Sequence, residues 1–326
     1  MEKTVRWGIV GPGNIANKFA EAVKNVEGAE LVAVASTNEE RGRAFAERHG
    51  IPNLFVGYEK MANAALVDAV YIATPHPFHK PCAEIFLNAG KHVLCEKPVC
   101  VNAKEAEELL SCAEKNRVFL MEALWTRFLP AIKEAKRIAE SGEVGEIKGV
   151  SADFCYSLAP DEEPKLYRND MAGGSLLDVG VYGLNFAAIF LGSNPESITA
   201  EATLECGVDS HTNILMKYKS GAIAQVSSAI NVLKPETAYV YGTKGYIALP
   251  EFYGAQEIIV RVEEKERRIS KKSIGKGFEE EIYEACCCIR EGKLQSGVMP
   301  MRESIAILRQ MDYIRKEIEL KYPFDL

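Results

Sequence analysis

The fold is decided near the start of the chain, by the stretch Trp7-Gly8-Ile9-Val10-Gly11-Pro12-Gly13-Asn14-Ile15-Ala16. An apolar strand runs there into a Gly-rich turn that opens a helix, which is the context of a G-x-G-x-x-G/A dinucleotide fingerprint. The first Gly makes the tight turn and the second lets backbone approach a pyrophosphate. The helix N-terminus offers free N–H groups to that phosphate. Four residues are therefore predicted to bind a cofactor: Gly11, Gly13, Asn14 and Ile15. A structural turn without nucleotide is the alternative.

A second informative stretch is Cys95-Glu96-Lys97-Pro98, which follows the apolar run His92-Val93-Leu94. Pro98 ends that strand, because proline cannot donate to the next strand of a sheet. Lys97 is thus expected at the carboxyl end of a parallel strand, where open α/β sheets bind ligands. The combination suggests a nicotinamide-dependent enzyme with a lysine in its active site.

Apolar runs and helical periodicities alternate through the first third of the chain, which predicts a doubly wound parallel sheet. The predicted strands are Val5–Val10, Leu31–Ala35, Val70–Ala73, His92–Cys95 and Val118–Met121. The predicted helices are Ile15–Val26, Arg43–Arg48, Phe78–Ala89 and Ala103–Lys115. This α/β half is assigned to residues 1–122 as a dinucleotide-binding Rossmann domain.

After Glu122 the strands become longer and few helices separate them, which predicts a large, mainly antiparallel open sheet. The predicted strands are Ile147–Tyr156, Ile198–Leu204, Asn213–Tyr218, Ala222–Ile230, Tyr239–Gly242 and Ile258–Val262. The predicted helices are Pro130–Ser141, the apolar Val181–Leu191 and two in the tail. Residues 123–326 are therefore assigned to a second α/β domain for substrate binding and dimerisation.

Composition restricts the class of protein. A net charge of −7 over 326 residues gives no footprint for nucleic acid. We find no apolar run of about 18 residues and expect no membrane span. Met1-Glu2-Lys3-Thr4 runs straight into the first strand, so no signal peptide is expected. The nine cysteines, including Cys286-Cys287-Cys288, lie in apolar surroundings without zinc-ligand spacing. Reduced thiols in a cytoplasmic protein without a metal site are expected, with Cys95 and Cys100 either reactive or simply buried.

The end of the second strand normally selects the cofactor, since an acid there holds the ribose 2′-OH of NAD and an Arg accepts the 2′-phosphate of NADP. This chain has Ser36-Thr37-Asn38, followed by Glu39, Glu40 and Arg41. No acid occupies the strand end and Arg41 or Arg43 can turn back, which favours NADP with NAD as the alternative. The structural alternative is that both Arg residues simply lie in solvent at the start of a helix.

Four motifs in this order resemble the glucose–fructose oxidoreductase / inositol dehydrogenase (Gfo/Idh/MocA) family. They are Gly11-x-Gly13-x-x-Ala16, Ala73-Thr74-Pro75-His76-x-x-His79, Ala89-Gly90-Lys91-His92-Val93-Leu94-Cys95-Glu96-Lys97-Pro98 and Gly173-Gly174-Ser175-x-x-x-Asp178-x-Gly180-x-Tyr182. Within the family, the stretch from Met121 to Pro130 and the tyrosine at 182 look most like the dimeric dihydrodiol dehydrogenase / NADP-dependent D-xylose dehydrogenase branch. The similarity covers essentially the whole chain.

The resemblance implies particular roles and shows three departures. Tyr182 stands where the family commonly has His, and tyrosine is the catalytic residue expected in this branch. Asn185 stands where the family commonly has an acid, which argues against an inositol dehydrogenase site. Thr37 replaces the usual Arg of the branch and weakens the prediction of NADP. Cofactor contacts are also assigned to Thr74, Pro75, His79, Glu96 and Lys97, and the outer face of the second sheet is implied to make a homodimer.

Lys97 and Tyr182 together suggest acid–base chemistry. A phenol has an unperturbed pKa near ~10, and a nearby ammonium can lower it by roughly 1–3 units. It then comes within the range of useful general acid–base catalysis, while a nicotinamide carries the hydride chemistry. The structural alternative is a solvent-facing Lys and a Tyr on an apolar helix.

The remaining candidates have two interpretations each. Asp178, one helical turn before Tyr182, either orients Lys97 or a substrate hydroxyl, or caps the 181–191 helix. His79 either lines the nicotinamide pocket or occupies a helix start without a chemical role. Substrate contacts are assigned to Trp125, Arg127, Phe128 and Tyr156, whose aromatic members suit a sugar or cyclic diol. Core packing explains Phe128 equally well.

The sequence therefore predicts an NAD(P)-dependent dehydrogenase that transfers a hydride between nicotinamide and a secondary hydroxyl of a sugar, cyclitol or cyclic diol. The alternative is a non-catalytic NAD(P)-binding sensor of the same fold. Lys97 and an acid–base residue at 182 argue against the sensor, which needs neither.

Overall fold

A computed structural model describes residues 4–325, and these divide into two compact units. The first unit runs to Trp125 and also includes Ile274–Ile305. The second comprises Thr126–Ser273 and the chain from Ala306 onward. The expectation about a signal peptide concerns Met1-Glu2-Lys3, which lie outside the described residues.

The first unit is built on a six-stranded parallel sheet in the order β3-β2-β1-β4-β5-β6. Its strands are β1 Val5–Val10, β2 Ala29–Ser36, β3 Asn53–Val56, β4 Ala69–Ile72, β5 His92–Glu96 and β6 Leu120–Ala123. The strand order reverses between β1 and β4, which is the topological switch point where such sheets bind dinucleotides. The predicted parallel, doubly wound sheet is confirmed. Sequence reasoning missed β3, because four half-buried residues show no periodicity.

Five helices alternate with these strands: α1 Asn14–Ala22, α2 Glu39–His49, α3 Tyr58–Ala62, α4 His79–Asn88 and α5 Ala103–Asn116. α2 begins four residues earlier than predicted, because the Asn38 side chain accepts a hydrogen bond from the Arg41 N–H at 2.8 Å and caps the helix. Asn102 caps α5 in the same way, accepting from the Glu105 N–H at 2.9 Å. Side-chain caps therefore fix the starts of α2 and α5, the helices that follow β2 and β5.

A segment of the C-terminal half returns to the first unit. Helix α8, Phe278–Arg290, packs against β1, where Trp7 Nε1 donates to Cys286 Sγ at 3.4 Å. The backbone N–H of Leu120 donates to the carbonyl of Leu294 at 3.1 Å. The predicted second domain, 123–326, is therefore not one continuous stretch in the structure. The assignment of substrate binding to that domain stays a prediction.

The second unit is built on an eight-stranded mixed sheet in the order β14-β13-β12-β11-β7-β10-β9-β8. Its strands are β7 Ile147–Cys155, β8 Ser197–Glu205, β9 Val208–Lys217, β10 Ile223–Ala229, β11 Ala238–Gly242, β12 Gly245–Leu249, β13 Glu257–Val262 and β14 Lys265–Ser270. Only the pair β7 and β10 is parallel among the neighbouring strands described. The predicted large, mainly antiparallel sheet is confirmed, with β12 and β14 added.

Helix α7, Val181–Leu191, lies on the inner face of this sheet, and α6, Pro130–Glu140, packs against α7. α7 approaches β10 closely at Gly183, where an added Cβ would lie 2.5 Å from Val226 Cγ1. The last helix, α9, spans Met301–Glu317. Within residues 4–325, Asn169–Leu191 is long and apolar enough to cross a membrane, but 78% of its most apolar window is buried, as in a core helix.

All nine cysteines are free thiols. Cys95 and Cys100 are fully buried, and burial raises the pKa of both thiols well above the ordinary value. The interpretation as small buried hydrophobic residues therefore fits better than reactivity. Within residues 4–325, no three His, Cys, Asp or Glu side chains are grouped closely enough to hold a metal ion.

Candidate active site

The Gly-rich turn has the geometry that a pyrophosphate requires. Gly11 adopts φ +88°, and a Cβ there would lie 3.0 Å from Thr74 Cγ2. A Cβ at Gly13 would meet only the Ala73 carbonyl, at 3.9 Å, so the space in front of the turn is open. No side chain caps α1 and no acid lies in its first turn, which leaves its N–H groups for an anion. Gly11, Gly13, Asn14 and Ile15 therefore come together as a cradle that fits a dinucleotide.

The end of β2 presents a short polar turn. Ser36 is buried and its Oγ accepts from the Asn38 N–H at 3.1 Å. Thr37 is exposed and hydrogen-bonds the phenol of Tyr58, whose pKa is raised mainly by burial. Arg41 is exposed beside this turn, whereas Arg43 is engaged with Glu39 at 2.6 Å. Arg41, unlike Arg43, does not form this ion pair with Glu39.

The loop after β4 contains Thr74 and Pro75 and leads to His79 at the start of α4. His79 is 1% exposed, with Nδ1 2.8 Å from the Pro98 carbonyl and Nε2 2.7 Å from the Thr74 carbonyl. Burial, followed by nearby His76, lowers its pKa to about 3, so the ring is neutral and donates one N–H at a time. His79 thus ties the β4 loop to the segment that follows Lys97, and its place as a wall of the nicotinamide pocket stays a prediction.

Lys97 follows directly on β5 and is half-buried at the carboxyl edge of the sheet. The preceding Glu96 is buried, and its carboxylate accepts from the Tyr71 hydroxyl and, at 3.1 Å, from the Lys97 N–H. Burial raises the pKa of Glu96 to about 7 against these hydrogen bonds. Past Lys97, the Val99 N–H donates to Glu122 Oε1 at 2.9 Å. The backbone on both sides of Lys97 is therefore fixed by buried polar groups.

Glu281 of α8 is a second buried carboxyl in this region. Its side chain is fully buried and neither oxygen has a hydrogen-bond partner. Burial, followed by the charge of Glu96, raises its pKa well above the usual range. Burial without a hydrogen-bond partner therefore favours the protonated form of Glu281 in the folded protein. Sequence reasoning missed it, because one acid in an amphipathic helix resembles a solvated residue.

Trp125 stands at the end of the first unit. Its ring stacks on Phe278 with centroids 5.1 Å apart, and Lys18 Nζ lies 6.0 Å from the Phe278 centroid. Trp125 is half-buried, so part of its surface remains available to a ligand. Its assignment to substrate binding stays a prediction.

Tyr182 lies in the first turn of α7 and is 7% exposed. Its ring meets Phe154 edge-on at 5.3 Å and Tyr253 edge-on at 6.4 Å. Phe154 and Tyr253 are themselves stacked at 4.3 Å. These two rings were missed in the sequence. The alternation along β7 indicates that Phe154 faces inward, but Tyr253 follows β12 in a short turn that has no sequence signal.

Asp178 lies one turn before Tyr182, in a π-helical turn spanning Leu176–Gly180. Its Oδ2 accepts a hydrogen bond from the Tyr156 hydroxyl at 2.5 Å. α7 begins after Gly180, and no side chain caps it. The interpretation of Asp178 as the cap of this helix is therefore wrong. The structure instead brings together two predicted site residues, Tyr156 and Asp178.

Arg127 and Phe128 do not form an open surface within the second unit. Arg127 is buried and its Nε donates to Asn185 Oδ1 at 2.9 Å, so the residue that departs from the family pattern supports this arginine. Phe128 is fully buried, which favours its packing role over substrate contact.

The fold and these sites define a class of protein. The first unit has a dinucleotide cradle at the switch point of a Rossmann sheet and a lysine at the same carboxyl edge. The second unit has a buried phenol in an aromatic surround beside a hydrogen-bonded carboxylate. This is the equipment of a nicotinamide-dependent oxidoreductase.

Comparison with known proteins identifies the family. The oxidoreductase family model with an NAD-binding Rossmann fold matches residues 5–124, and the GFO/IDH/MocA C-terminal domain model matches residues 132–248. Trans-1,2-dihydrobenzene-1,2-diol dehydrogenase of Mus musculus is 36% identical over 333 residues, covering 98% of this chain and 99% of the relative. The enzyme of the same name from Homo sapiens is 34% identical over 332 residues, with the same coverage. The chain belongs to the Gfo/Idh/MocA family, as its motifs predicted, and is an NAD(P)-dependent oxidoreductase.

Solved structures agree. A 3-ketoreductase from Actinomadura kijaniata, in complex with NADP and TDP-benzene, superposes with a TM-score of 0.89 at 25% identity, covering 97% of this chain and 98% of that one. An aldose-aldose oxidoreductase from Caulobacter crescentus shares the fold with a TM-score of 0.89 at 24% identity and the same coverage. The predictions of fold and of a nicotinamide cofactor are confirmed.

Proposed function

We propose that the enzyme transfers a hydride between NADP and a secondary hydroxyl of a cyclic diol or sugar. The observation that carries this proposal is the environment of Tyr182, a buried phenol edged by Phe154 and Tyr253. Aromatic faces suit the apolar side of a ring, and the phenol supplies a proton-transfer group for a hydroxyl. The names of the curated relatives, which are dihydrodiol dehydrogenases, support the same substrate class.

Each residue has a defined part in the proposed reaction. The bound nicotinamide supplies the hydride acceptor for the carbon that carries the hydroxyl. Tyr182 takes the hydroxyl proton as the carbonyl forms, and Lys97 is proposed as a hydrogen-bond donor to the substrate. Asp178, held by Tyr156, accepts a hydrogen bond from a neighbouring hydroxyl of a diol or sugar. The proton and the electron pair thus leave the substrate by separate routes, which balances the oxidation.

We also propose NADP as the preferred cofactor. Thr37 and Arg41 lie exposed at the turn after β2, where a 2′-phosphate would be bound. Glu39, one of the two acids (with Glu40) that could bind the ribose of NAD, is instead paired with Arg43. The ketoreductase from Actinomadura kijaniata binds NADP.

A homodimer through the outer face of the second unit's sheet is part of the proposal. That face exposes large apolar side chains, Leu215 at 47% and Ile223 at 45% on neighbouring strands, with Tyr241 nearby on β11. Exposed apolar patches of this kind are typical of protein interfaces. We further propose a cytoplasmic enzyme without nucleic-acid or membrane partners, consistent with its free thiols and net charge.

A substrate panel tests the proposed activity directly. The purified enzyme is mixed with NADP or NAD and with cyclic trans-diols, aldopyranoses and cyclitols, and nicotinamide absorbance is followed at about 340 nm. We expect the enzyme to reduce NADP when a diol or a sugar is present. Cofactor binding without turnover on any polyol, in either direction, would contradict the proposal and favour a sensor.

A further inference from the structure

Asp209 is a buried carboxylate in the second unit that the proposed reaction does not use. It is fully buried near the start of β9. Its Oδ2 accepts three hydrogen bonds: from Ser175 Oγ at 2.7 Å, from the Leu176 N–H at 2.7 Å and from Thr212 Oγ1 at 2.8 Å. Two of these three donors belong to the Gly173-Gly174-Ser175 turn and to the first residue of the π-helical turn. A single oxygen thus links the sheet to the segment that leads to Asp178.

A β-bulge aims Asp209 at this turn. Thr203 of β8 pairs with His211, whereas the next residue, Leu204, pairs with Asp209, so that Ser210 is the extra residue. A bulge reverses the alternation of side chains along a strand. Without the bulge, Asp209 would share the outer face with His211. With it, the carboxylate reaches Ser175 and Thr212 on the inner side of the sheet.

The Gly-Gly-Ser turn is shaped to receive the carboxylate. Gly174 has φ +109°, and a Cβ there would lie 2.1 Å from Asp209 Oδ1. The Ser175 hydroxyl also lies 3.0 Å from the Ser228 carbonyl on β10. On the other side of the turn, the Tyr322 hydroxyl donates to the Gly173 carbonyl at 2.6 Å. The turn is therefore held by buried polar groups from separate parts of the second unit.

The turn leads directly to the proposed site residues Asp178 and Tyr182. The Asp178 N–H faces the Gly174 carbonyl at 3.4 Å, and the π-helical turn continues into α7 at Val181. Gly180 of this turn packs on β10, where an added Cβ would lie 3.1 Å from Ser228 Oγ. Any shift of the turn therefore moves Asp178 relative to its partner Tyr156 on the sheet side, and moves Tyr182 with it.

We propose that Asp209 is a positioning residue for the reaction, which fastens the Gly173-Gly174-Ser175 turn to the sheet and so sets the places of Asp178 and Tyr182. It acts through the turn rather than on substrate. This inference rests on the proposed function of Asp178 and Tyr182. The sequence motif drew attention to the glycines and Ser175, but the residue that explains them lies more than thirty positions later.

Ser175→Ala and Thr212→Ala are a matched pair, since each removes one hydroxyl donor from the same carboxylate oxygen. Only Ser175→Ala loosens the turn, because Thr212 lies on β9 with Asp209. We expect Ser175→Ala to lower kcat roughly tenfold with a smaller change in the substrate KM, and Thr212→Ala to keep kcat within about twofold. Equal loss of kcat in both variants would overturn the proposal, because it would mean that the carboxylate merely supports the fold.

Asp209→Asn and Asp209→Ala extend the test. The amide oxygen of Asn keeps a hydrogen-bond acceptor at this position, whereas Ala keeps none, so Asn should keep most of the kcat that Ala loses. Amide hydrogen exchange gives a readout that does not depend on turnover. In Ser175→Ala, faster exchange should be confined to residues 174–182, and the Kd for NADP should be unchanged.

The outcomes separate the two proposals. If no polyol is turned over but exchange rises only at 174–182, the turn is positioned as described and the proposed substrate class fails. Suppose instead that the enzyme turns over polyols, and that amide exchange in Ser175→Ala is either faster throughout the protein or no faster than in wild type. The proposed function then stands and the positioning role is wrong.

Discussion

The Tyr156 hydroxyl donates a hydrogen bond of 2.5 Å to Asp178 Oδ2, joining the residue that directly follows β7 to the turn that precedes α7. Burial, followed by the charge of Asp178, raises the pKa of Tyr156 well above its ordinary value. Tyr156 therefore stays protonated throughout the working range of pH. It acts as a fixed donor to the carboxylate, which is consistent with our proposal that Tyr182 is the phenol that transfers the proton.

Removing this donor should impair catalysis without removing the cofactor. Tyr156→Phe removes one hydrogen-bond donor from the Asp178 carboxylate, and a hydrogen bond to a charged group contributes about 1.5–3 kcal/mol. We expect kcat/KM to fall roughly tenfold or more, with an unchanged Kd for NADP. Steady-state kinetics with fluorescence titration of the cofactor measures both, and wild-type kcat/KM in the variant would rule out the pairing as functional.

The cradle at the first Gly-rich turn allows a clean test of cofactor binding. At Gly13 the space is open, so Gly13→Val should keep the melting temperature near wild type. The side chain would fill the space a pyrophosphate needs, so cofactor binding should be abolished. Gly297→Ala, where an added Cβ meets nothing within 4 Å, is the control. Unchanged NADP affinity in folded Gly13→Val would place the cofactor elsewhere.

Arg41 and Arg43 offer a matched pair for cofactor choice. Arg43 is paired with Glu39 on the exposed face of α2, whereas Arg41 lies beside the turn after β2. We expect Arg41→Ala to weaken NADP binding roughly tenfold and to leave NAD binding unchanged, because only NADP carries the 2′-phosphate. Arg43→Ala should change neither. Isothermal titration decides, and tighter binding of NAD than NADP by the wild type would reverse the preference.

Glu281 makes the stability of the protein depend on pH. Its pKa is raised in the folded state by burial and by Glu96, so the folded protein binds this proton more tightly than the unfolded chain does. The contribution is fully present below the unfolded pKa near ~4.3 and is lost as pH rises towards the folded value. The melting temperature of Glu281→Gln relative to that of wild type should therefore increase as the pH rises from 5 to 8.

Differential scanning fluorimetry across that range measures the effect, with exposed Glu114→Gln on α5 as the control. A shift of roughly 2–4 °C corresponds to about 1 kcal/mol in a domain of 150–250 residues. A difference between Glu281→Gln and wild type that does not grow with pH would show that the carboxyl is ionised in the folded state.

Most of the first unit could be predicted from the sequence, because strand–turn–helix alternation and the glycine fingerprint are local signals. The association of Ile274–Ile305 with that unit could not, since the contact of Trp7 with Cys286 joins residues 279 positions apart. In the second unit Tyr182 and Asp178 were predicted from one motif, and Tyr156 was predicted as an aromatic residue that suits a sugar or cyclic diol. Asp209 and Tyr253 were not, because a β-bulge and a short turn set their direction and neither has a period in the sequence.

The central claim is the proposal that Tyr182 transfers the proton and that Lys97 is a second catalytic residue. The most direct measurement is the pH–rate profile of wild type, Tyr182→Phe and Lys97→Met, followed by nicotinamide absorbance. Loss of a general acid–base group costs about 10²–10⁴ in rate, so Tyr182→Phe should lose that much kcat and still bind NADP. Lys97→Met should lose at least as much, and its residual activity should move to higher pH. Near-normal turnover in Tyr182→Phe would contradict the account, because the proton would then pass through Lys97 or water.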